Sequence, residues 1–416
     1  MTDVLETLEK RGFVYQTTDD PNDRNNLRKL LSDQSITLYV GIDPTATSMH
    51  VGNLVQVMAL MHFQRAGHKP IIIFGGGTGL VGDPSGKTEL RKLLDKDSVQ
   101  KNLESMRAQF GRYISFDNDA AQMINNADWL TELNYLDFLR DIGRHFSVNR
   151  MLTHDCFKSR LDADSGLSFL EFNYMLLQSY DFYVLRRDHD CVLQIGGSDQ
   201  WGNIISGVEL IRRVDGKDAH GLTIPLIKTA SGQKMGKTEK GAVWLDPELT
   251  SPYDYYQFWI NTDDSQVGDF LKMFTLLDLD RIAELEALEG ADIRHAKEVL
   301  AYEATKITHG EQEAEKAREA AKALFSKGGA AAAADMPTHE IEASALEGDG
   351  LLAVVLCVEG GLRNSRNEAR RLAQQGGLYV NDEAVADDRK IAANDFEDGA
   401  LLMRAGKKKY LRVLLK

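Results

Sequence analysis

The chain has 416 residues, 43% of them apolar, and a formal net charge of −14 at pH 7, which predicts two or three globular domains. The charged amino-terminal stretch and the lack of any run of about 18 apolar residues exclude an export signal and a membrane span. The three cysteines lie far apart and outside any Cys-x-x-Cys pair, which excludes a disulfide framework and a structural zinc site, so we expect a cytoplasmic protein with no metal ligands of its own.

Short apolar runs alternate with helical patterns up to about residue 230. The runs ITLYVGI, KPIIIFGG and CVLQIGG predict buried strands, and helices are expected over about 50–66 and near 203–214. This alternation predicts an α/β fold with a parallel sheet and helices on both faces. Ligands bind at the carboxyl ends of the strands in such sheets, where the polar turns 41–53, 75–88 and 196–202 would meet.

The rest of the chain has a different organisation. From about 248 to 327 apolar residues recur every three or four positions, which predicts a helical domain. The stretch KGGAAAAADMPTHEIEAS, with its glycines and proline, is typical of a linker. The last segment predicts a helix that ends at Gly376 and Gly377, followed by a short strand. The expected domains are therefore 1–240, 241–328 and 349–416, with a linker at 329–348.

The carboxyl-terminal segment is basic although the whole chain is acidic. Residues 351–416 contain 12 Lys and Arg against 9 Asp and Glu, and Arg366 and Arg370 share one face of the predicted helix. A basic module on an acidic body favours a polyanionic partner, and charge alone leaves an ordinary solvated surface as the alternative. The candidate residues for contact with a polyanion are Arg363, Arg366, Arg370, Arg371, Lys407, Lys408 and Lys409.

The glycine-rich stretch GGGTGLVGDPSGKTE contains two imperfect nucleotide-binding patterns. GTGLVG follows a strand, but Asp83 and Pro84 come next, where a dinucleotide fingerprint requires an opening helix. The glycine before Lys87 is one residue too close to Gly82 for a P-loop. We therefore favour neither a dehydrogenase nor a P-loop NTPase. The carboxylate of Asp83 suits a cationic group such as an α-ammonium.

The segment EFNYMLLQSYDFYVL predicts a helix with an unusual polar stripe. Tyr174, Gln178 and Asp181 fall on one face of it, among apolar neighbours where a carboxylate is costly unless something satisfies it. The helix alone leaves two interpretations open, a pocket wall that binds a small polar ligand or a core tyrosine beside a surface carboxylate. QIGGSDQWGN follows a strand and adds Asp199 and Gln200, which suit sugar hydroxyls.

Two distant stretches together predict ATP chemistry. In GIDPTATSMHVGN, His50 and Gly52 stand at a helix start, where a donor imidazole and the positive end of the helix dipole suit a phosphate. In KTASGQKMGKTEKG, Lys234 and Lys237 lie in a glycine-flanked loop that can close over a triphosphate. Taken singly, His50 is as well explained by a structural histidine and the lysines by a solvated loop.

HVGN at 50–53 and KMGKT at 234–238 resemble the two signatures of class I aminoacyl-tRNA synthetases. With YVGIDPTATSMHVGN, GGGTGLVGDPSGK, YMLLQSYDF and QIGGSDQWGN in the same order, the chain is similar to bacterial-type tyrosyl-tRNA synthetases over nearly its whole length. The resemblance implies a Rossmann-like catalytic domain, an α-helical domain and a small α+β domain similar to the S4 RNA-binding domain. It also implies a homodimer.

The resemblance implies activation of L-tyrosine by ATP, with Mg²⁺ bound through the nucleotide, and transfer of tyrosine to tRNA(Tyr). It assigns Thr45 and His50 to the β- and γ-phosphates, opposite Lys234 and Lys237. The residues that it assigns to tyrosine are Tyr39 and Asp181 at the phenolic hydroxyl and Asp83, Tyr174 and Gln178 at the α-ammonium, together with Gln200. Those that it assigns to ATP are Gly41, Asp43, Gly52, Asn53, Gly197, Asp199, Met235, Gly236 and Thr238.

The sequence departs from the commoner signatures at two positions. Asn53 replaces a second histidine, so this position can donate a hydrogen bond but carries no charge, and Gly236 replaces a serine. The alternatives are a tryptophanyl-tRNA synthetase and a non-catalytic RNA-binding relative. The indole of tryptophan only donates a hydrogen bond, so tryptophan does not explain both Tyr39 and Asp181.

Overall fold

The computed structural model describes residues 3–20, 26–85, 96–162, 166–228, 232, 235, 237–238, 241–323, 337–346, 351–381, 383–396, 399–406 and 409–416. The chain divides into two compact units. The first comprises Met1–Leu249 and Asp263–Leu288, and the second comprises Thr250–Thr262 and Glu289–Lys416. The predicted helical segment 241–328 contributes to both units, and the predicted domain boundaries stay a prediction.

A six-stranded sheet forms the centre of the first unit. Its strands are β1 Gln16–Thr17, β2 Thr37–Ile42, β3 Lys69–Phe74, β4 Gln122–Asn125, β5 Cys191–Gly197 and β6 His220–Ile224, in the spatial order β1-β6-β5-β2-β3-β4. All neighbours from β2 to β6 run parallel, and β1 is antiparallel to β6. Parallel strands are buried on both faces, which explains their nearly continuous apolar runs. The α/β class and the three predicted strands are confirmed.

Helices surround this sheet in the first part of the chain. They are α1 Val4–Lys10, α2 Leu27–Asp33, α3 Val51–Arg65, α4 Lys96–Phe110, α5 Ala127–Leu130, α6 Tyr135–Asp141, α7 Val148–Met151, α8 Asp155–Leu161, α9 Phe169–Asp188 and α10 Trp201–Asp215. α9 and α10 pack on one side of the sheet, where Phe182 and Ile211 meet Tyr39 and Ile73 in one buried cluster. The helices predicted near 50–66 and 203–214 are thus α3 and α10.

The helix α9 begins at a capping box and a buried ion pair. Ser168 Oγ accepts the Glu171 amide at 3.1 Å, and Glu171 Oε2 accepts the Ser168 amide at 3.1 Å. Arg160, only 1% exposed, contacts Glu171 at 3.2 Å and donates to the Gly166 carbonyl. These bonds fix the start of the helix that carries Tyr174 and Asp181.

After residue 236 the chain forms two strands of two residues each, and from Pro252 on it is helical. The helices agree with the helical region predicted over about 248–327. The elements are β7 Lys237–Thr238, β8 Gly241–Ala242, α11 Pro252–Ile260, α12 Val267–Phe274, α13 Leu279–Glu286, α14 Ile293–His309 and α15 Glu311–Ala323. α12 and α13 belong to the first unit, where the buried Arg11 donates to the Lys272 and Thr275 carbonyls at 3.0 and 3.1 Å. α11, α14 and α15 pack together in the second unit.

The second unit also contains a small α+β fold. Its elements are β9 Thr338–Ile341, β10 Leu351–Leu352, α16 Ala353–Glu359, α17 Arg366–Gln374, β11 Leu378–Val380, β12 Glu383–Ala384, β13 Lys390–Ile391, β14 Ala400–Ala405 and β15 Lys409–Leu415. β12, β11, β14, β15 and β9 form a sheet in that order, and α16 and α17 share its apolar core. The predicted linker 329–348 is described only over 337–346, where β9 pairs with β15.

None of the helices in the described ranges combines the length and the apolar character needed to cross a membrane.

Candidate active site

A cavity of about 480 Å³ opens in the first unit where β2, β5 and β6 end. This is the edge at which a parallel sheet binds its ligands. The predicted site residues that line it are Tyr39, Gly41, Asp43, Thr45, His50, Gly52, Asn53, Asp83, Tyr174, Gln178, Asp181, Gly197, Asp199, Gln200 and Met235. Lys234 and Gly236 lie outside the described residues, and so do the side chains of Lys237 and Thr238.

The two distant signature stretches meet at the start of α3. A Cβ atom on Gly52 would lie 2.9 Å from the Met235 carbonyl oxygen and 2.8 Å from the His50 ring. The Val51 amide donates to the Val243 carbonyl at 2.9 Å, so the chain that follows the lysine loop runs beside residues 49–51. Glycine at 52 is therefore required for the close approach of the two stretches.

The first turn of α3 is capped from within its own signature. Asn53 Oδ1 accepts the His50 amide at 3.0 Å, which fixes the orientation of the Asn53 side chain. The His50 ring lies 6.1 Å from the Trp244 ring, centroid to centroid. The amide groups of a first helical turn carry partial positive charge, so this end of the cavity favours an anionic ligand group.

At the opposite end of the cavity, the Asp181 carboxylate is held by two donors. Asn126 Nδ2 donates to one oxygen at 2.9 Å and Trp129 Nε1 to the other at 2.8 Å. Burial raises the pKa of Asp181 to about 7, the two donors oppose this shift, and the nearby charge of Asp43 adds to it. The side chain is only 3% exposed, so its charge faces the cavity interior and not bulk water.

Two further polar groups of the cavity lining are buried without a hydrogen-bond partner among the described residues. They are the Tyr39 hydroxyl and Gln194 Oε1. Burial, and then the charge of Asp181, raises the pKa of Tyr39 well above its ordinary value. Tyr39 and Gln194 are paired neighbours on β2 and β5 and both line the cavity. Buried polar atoms normally have partners, so these two indicate a polar group on the ligand.

The polar stripe of α9 continues into a second group of carboxylates. Tyr174 donates to Asp43 Oδ2 at 3.0 Å, and Gln200 Nε2 donates to Asp83 Oδ2 at 2.7 Å. Gln178 Oε1 accepts Asn203 Nδ2 at 3.0 Å. Two carboxylates therefore line this part of the cavity together with the amides of Gln178 and Gln200, an arrangement that suits a ligand ammonium. Tyr174, Gln178 and Asp181 thus all line the cavity, and ligand binding by the α9 stripe stays a prediction.

Asp43 belongs to this hydrogen-bond network, although the resemblance assigned it to ATP. It accepts Thr78 Oγ1 at 2.8 Å as well as the Tyr174 hydroxyl. Thr78 in turn accepts Asn126 Nδ2 at 2.9 Å, so a chain of hydrogen bonds joins Asp43 to Asp181. A Cβ atom on Gly75 would lie 2.0 Å from Asp43 Oδ1, which explains the glycine at that position.

The cavity also has a surface formed largely by backbone. Gly41 at the end of β2 has open space around a built Cβ atom, whereas a Cβ atom on Gly197 would lie 2.7 Å from Asp199 Oδ1. Exposed backbone at the ends of neighbouring strands provides a flat support for a planar ring. Asp199 beside it offers acceptors for hydroxyl groups.

Three further residues of this site, Asn126, Trp129 and Gln194, were not predicted from the sequence. Asn126 and Trp129 follow β4, whose short and half-polar run QMIN gives no strand signal. Gln194 could have been predicted from the sequence, because it is the one polar residue in the apolar run CVLQIGG of β5. Within the described ranges, no three His, Cys, Asp or Glu side chains are grouped as metal ligands would be.

The basic residues predicted to contact a polyanion fall into two groups where the structure describes them. Arg363 Nη1 and Lys409 Nζ both donate to the Leu362 carbonyl, at 3.0 and 3.2 Å. Arg366, Arg370 and Arg371 lie on α17 and are exposed. Lys407 and Lys408 lie outside the described residues.

Comparisons with known proteins find the same family over nearly the whole chain. A family model described as "tRNA synthetases class I (W and Y)" matches residues 31–326, and one described as "Tyrosine--tRNA ligase SYY-like C-terminal domain" matches residues 330–413. The chain is 54% identical over 415 residues to a tyrosine–tRNA ligase of Caulobacter vibrioides, covering 99% of this chain and 97% of that relative. It is 50% identical over 433 residues to one of Desulfosudis oleivorans, covering 99% of each.

Solved structures give the same result for the fold. A C-terminally truncated mitochondrial tyrosyl-tRNA synthetase of Aspergillus nidulans superposes with a TM-score of 0.68 at 30% identity, covering 78% of this chain and 95% of that chain. A tryptophanyl-tRNA synthetase of Encephalitozoon cuniculi, with a TM-score of 0.55 at 13% identity and covering 75% of this chain and 86% of that chain, shares the fold alone. The chain therefore belongs to the tyrosyl-tRNA synthetases, a family of ATP-dependent ligases within class I of the aminoacyl-tRNA synthetases.

Proposed function

We propose that this chain activates L-tyrosine with ATP and transfers it to tRNA(Tyr). The observation that carries the proposal is the buried end of the cavity, where the Tyr39 hydroxyl has no described partner and Asp181 is held by Asn126 and Trp129. A phenolic hydroxyl can donate to Asp181 and accept from Tyr39. Phenylalanine would leave both groups unpaired in a buried site, which is costly.

The rest of the amino acid fits the carboxylates of the cavity. Its ammonium would lie among Asp83, Tyr174 and Gln178, with Gln200 holding Asp83 in place. The tyrosine carboxylate is then directed toward the signature end of the cavity, where ATP enters with its magnesium ion. Tryptophan fits less well, because an indole N–H can donate to Asp181 but has no acceptor for Tyr39.

The first chemical step joins the two substrates without an enzyme nucleophile. A carboxylate oxygen of tyrosine attacks the α-phosphorus, forming a phosphorus–oxygen bond while the bond to pyrophosphate breaks. We assign Thr45 and His50 to the β- and γ-phosphates, and Lys234 and Lys237 to the opposite side of the same phosphates. We assign Asn53, Gly52 and Asp199 to the nucleoside, and the remaining ATP assignments from the sequence are Gly41, Asp43, Gly197, Met235, Gly236 and Thr238. Catalysis comes from orientation and from stabilising charge that grows on the phosphates.

The second step uses the terminal adenosine of the tRNA. A ribose hydroxyl attacks the tyrosyl carbonyl carbon, and AMP leaves. We assign RNA binding to the exposed arginines of α17, to Arg363 and to Lys409. Lys407 and Lys408, outside the described residues, keep the same assignment from the sequence alone. Phosphate contacts of this kind bind RNA without reading sequence, so they do not identify the tRNA.

We also infer a homodimer in the cytoplasm. Large apolar side chains on α6 to α9 are exposed although these helices share one buried core. They are Tyr135, Leu136, Leu139, Val148, Leu161, Phe169 and Leu170. Exposed apolar groups of this size favour a protein–protein contact. Sedimentation equilibrium should therefore give twice the mass of the chain, and a single-chain mass at micromolar concentration would contradict the dimer.

The test of the activity is amino-acid-dependent exchange of labelled pyrophosphate into ATP. Tyrosine, phenylalanine and tryptophan are compared at equal concentration with magnesium, and a reaction without amino acid is the control. Exchange with tyrosine alone supports both the adenylate step and the specificity. Exchange with tryptophan would contradict the specificity, and exchange with none of them would leave a non-catalytic RNA-binding relative.

A further inference from the structure

The helix α4 holds both ends of the loop that carries the first signature. We call residues 43–50 the phosphate loop. Asn102 Nδ2 donates to the Pro44 carbonyl at 2.9 Å, and Gln109 Oε1 accepts the Met49 amide at 3.0 Å and the Ser48 hydroxyl at 3.2 Å. Thr45 and His50 thus each stand next to a residue that α4 holds.

The chemistry of the partners fixes the roles of the two amides. A backbone carbonyl only accepts, so Asn102 must present its NH₂ group to Pro44. A backbone N–H only donates, so Gln109 must present its oxygen to Met49. One position therefore acts as a donor and the other as an acceptor.

The placement of these side chains is rigid. Asn102 and Gln109 are 7% and 4% exposed, and they lie two turns apart on one face of the helix, about 10 Å along its axis. Val99, Leu103 and Met106 on the same side are buried as well, and Met106 lines the cavity. A helix anchored by its apolar side chains gives the two amides a fixed position.

We propose that Asn102 and Gln109 are positioning residues that fix the phosphate loop, so that Thr45 and His50 meet the triphosphate at the distance needed for catalysis. The inference rests on the proposed function, because it assumes that this loop binds ATP. Neither amide lines the cavity, so neither touches a substrate. Both act through the loop backbone, and their loss should affect ATP and leave tyrosine in place.

The experiment replaces each of the two amide side chains by the corresponding acid and by an apolar side chain. The variants are Gln109→Met, Gln109→Glu, Asn102→Leu and Asn102→Asp. Gln100→Met on the same helix is the matched control, because its amide is exposed and donates to Glu104 within the helix itself. For each full-length variant we would measure kcat/KM for ATP in pyrophosphate exchange, the Kd of tyrosine without ATP, and the thermal midpoint. Rates are expressed per tyrosine-binding site, so unfolded protein is not counted.

The acid variants should behave in opposite ways. Gln109→Met should lower kcat/KM for ATP by about tenfold or more with the tyrosine Kd within about twofold, because a displaced catalytic group costs rate before it costs substrate affinity elsewhere. Gln109→Glu keeps an acceptor oxygen for Met49 and should recover most of this loss. In Asn102→Asp a carboxylate oxygen, which is an acceptor, would lie against the Pro44 carbonyl, which is also an acceptor. The kcat/KM for ATP of this variant should therefore be no higher than that of Asn102→Leu.

Two results would overturn the proposal. One is a kcat/KM for ATP in Gln109→Met and Asn102→Leu that equals that of Gln100→Met. The other is a parallel loss of tyrosine affinity and ATP rate, which would show that α4 only supports the fold. The parent protein tests the proposed function separately, because it must show tyrosine-dependent exchange whatever the variants do. If the parent shows none, both proposals are wrong.

Discussion

At the scale of single residues, the ionisation of Asp181 is linked to the binding of its ligand. The pKa of this carboxyl is raised to about 7 by burial, so it is partly protonated near neutral pH. The ionised form is the one that accepts a third hydrogen bond from a phenol. The unliganded folded chain holds the proton more tightly than the unfolded chain, so this group's contribution to stability is lost as pH rises from about 4 to about 7.

Tyrosine binding should show the opposite dependence on pH. We expect the Kd of tyrosine to fall as pH rises from about 6 to about 8, because deprotonation of Asp181 creates the acceptor for the phenolic hydroxyl. Fluorescence titration with tyrosine in the absence of ATP measures it. The Asp181→Asn variant should bind tyrosine weakly and independently of pH over this range, and a pH dependence equal to that of the parent would contradict the assignment.

The Tyr39 hydroxyl should serve the substrate and not the fold. Because it is buried without a described partner, Tyr39→Phe should leave the free energy of unfolding unchanged or slightly higher. The preference for tyrosine over phenylalanine should fall by about tenfold. Urea denaturation and the ratio of kcat/KM values in pyrophosphate exchange measure the two effects.

Tyr174→Phe is the matched control for this prediction. The Tyr174 hydroxyl makes a bond to Asp43, so its loss should lower the free energy of unfolding by about 1 kcal/mol. It belongs to the ammonium end, which tyrosine and phenylalanine share, so the preference between them should not change. A change of preference in Tyr174→Phe as large as in Tyr39→Phe would contradict the proposed orientation of the amino acid.

At the scale of elements, the start of α3 and the start of α9 depend on close packing of different kinds. In α3 two distant stretches of backbone touch across a glycine, and in α9 a charged pair is buried under the first turn. The first arrangement can be disturbed by adding one carbon atom. The second can be disturbed by removing one charge.

Gly52→Ala should separate the two signature stretches. The new Cβ atom would meet the Met235 carbonyl at 2.9 Å, so the lysine loop or the His50 ring must move. We expect kcat/KM for ATP to fall by about 100-fold, since displacements of about 1 Å have such effects, while the tyrosine Kd stays the same. Gly111→Ala is the control, because its Cβ atom would meet the nearest atom at an ordinary 3.6 Å. Equal rates in the two variants would refute the contact.

Arg160→Met should destabilise the first unit strongly. It leaves the Glu171 carboxylate buried without its counter-charge, which costs about 3–5 kcal/mol. Arg187→Met removes a comparable but exposed pair with Asp188, which should cost less than about 1 kcal/mol. Urea denaturation of both variants measures the difference. Similar losses would mean that the Arg160 pair contributes little beyond a surface pair.

At the scale of the whole molecule, the basic residues of the second unit should affect RNA and not ATP. Arg366, Arg370 and Arg371 are exposed, so their replacement by Glu should leave the fold intact. Removal of 350–416 is a poorer test, because Tyr253 and Ala320 pack against Leu402 in one buried cluster. Charge reversal on α17 leaves the residues of that cluster in place.

The triple variant Arg366→Glu, Arg370→Glu, Arg371→Glu should therefore charge tRNA poorly and exchange pyrophosphate normally. Its KM for tRNA should rise and depend less steeply on salt, because fewer counterions are released on binding. Lys390→Glu, a charge reversal outside the predicted RNA-binding set, is the control. Unchanged charging in the triple variant would show that α17 does not contact the RNA.

The sequence predicted the sheet and the edge at which the cavity opens, because buried parallel strands leave long apolar runs with polar turns after them. It predicted the α9 stripe because a carboxylate among apolar residues is rare unless it has a function. It could not predict Asn126 and Trp129, since β4 is short and half-polar and these residues reach Asp181 only through the tertiary fold. The roles of α4 were missed for the same reason, since its contacts join residues far apart in the chain.

The contact between residues 49–51 and 243–245 also sets an order in which the two substrate sites are completed. The cavity residues at the amino-acid end have all been synthesised by Asn203, whereas the wall beside His50 needs Val243 and Trp244. The residues of the tyrosine end are thus synthesised before those that complete the ATP end. A chain interrupted between these points would carry every residue assigned to the amino acid and would lack the wall beside His50 that completes the ATP end.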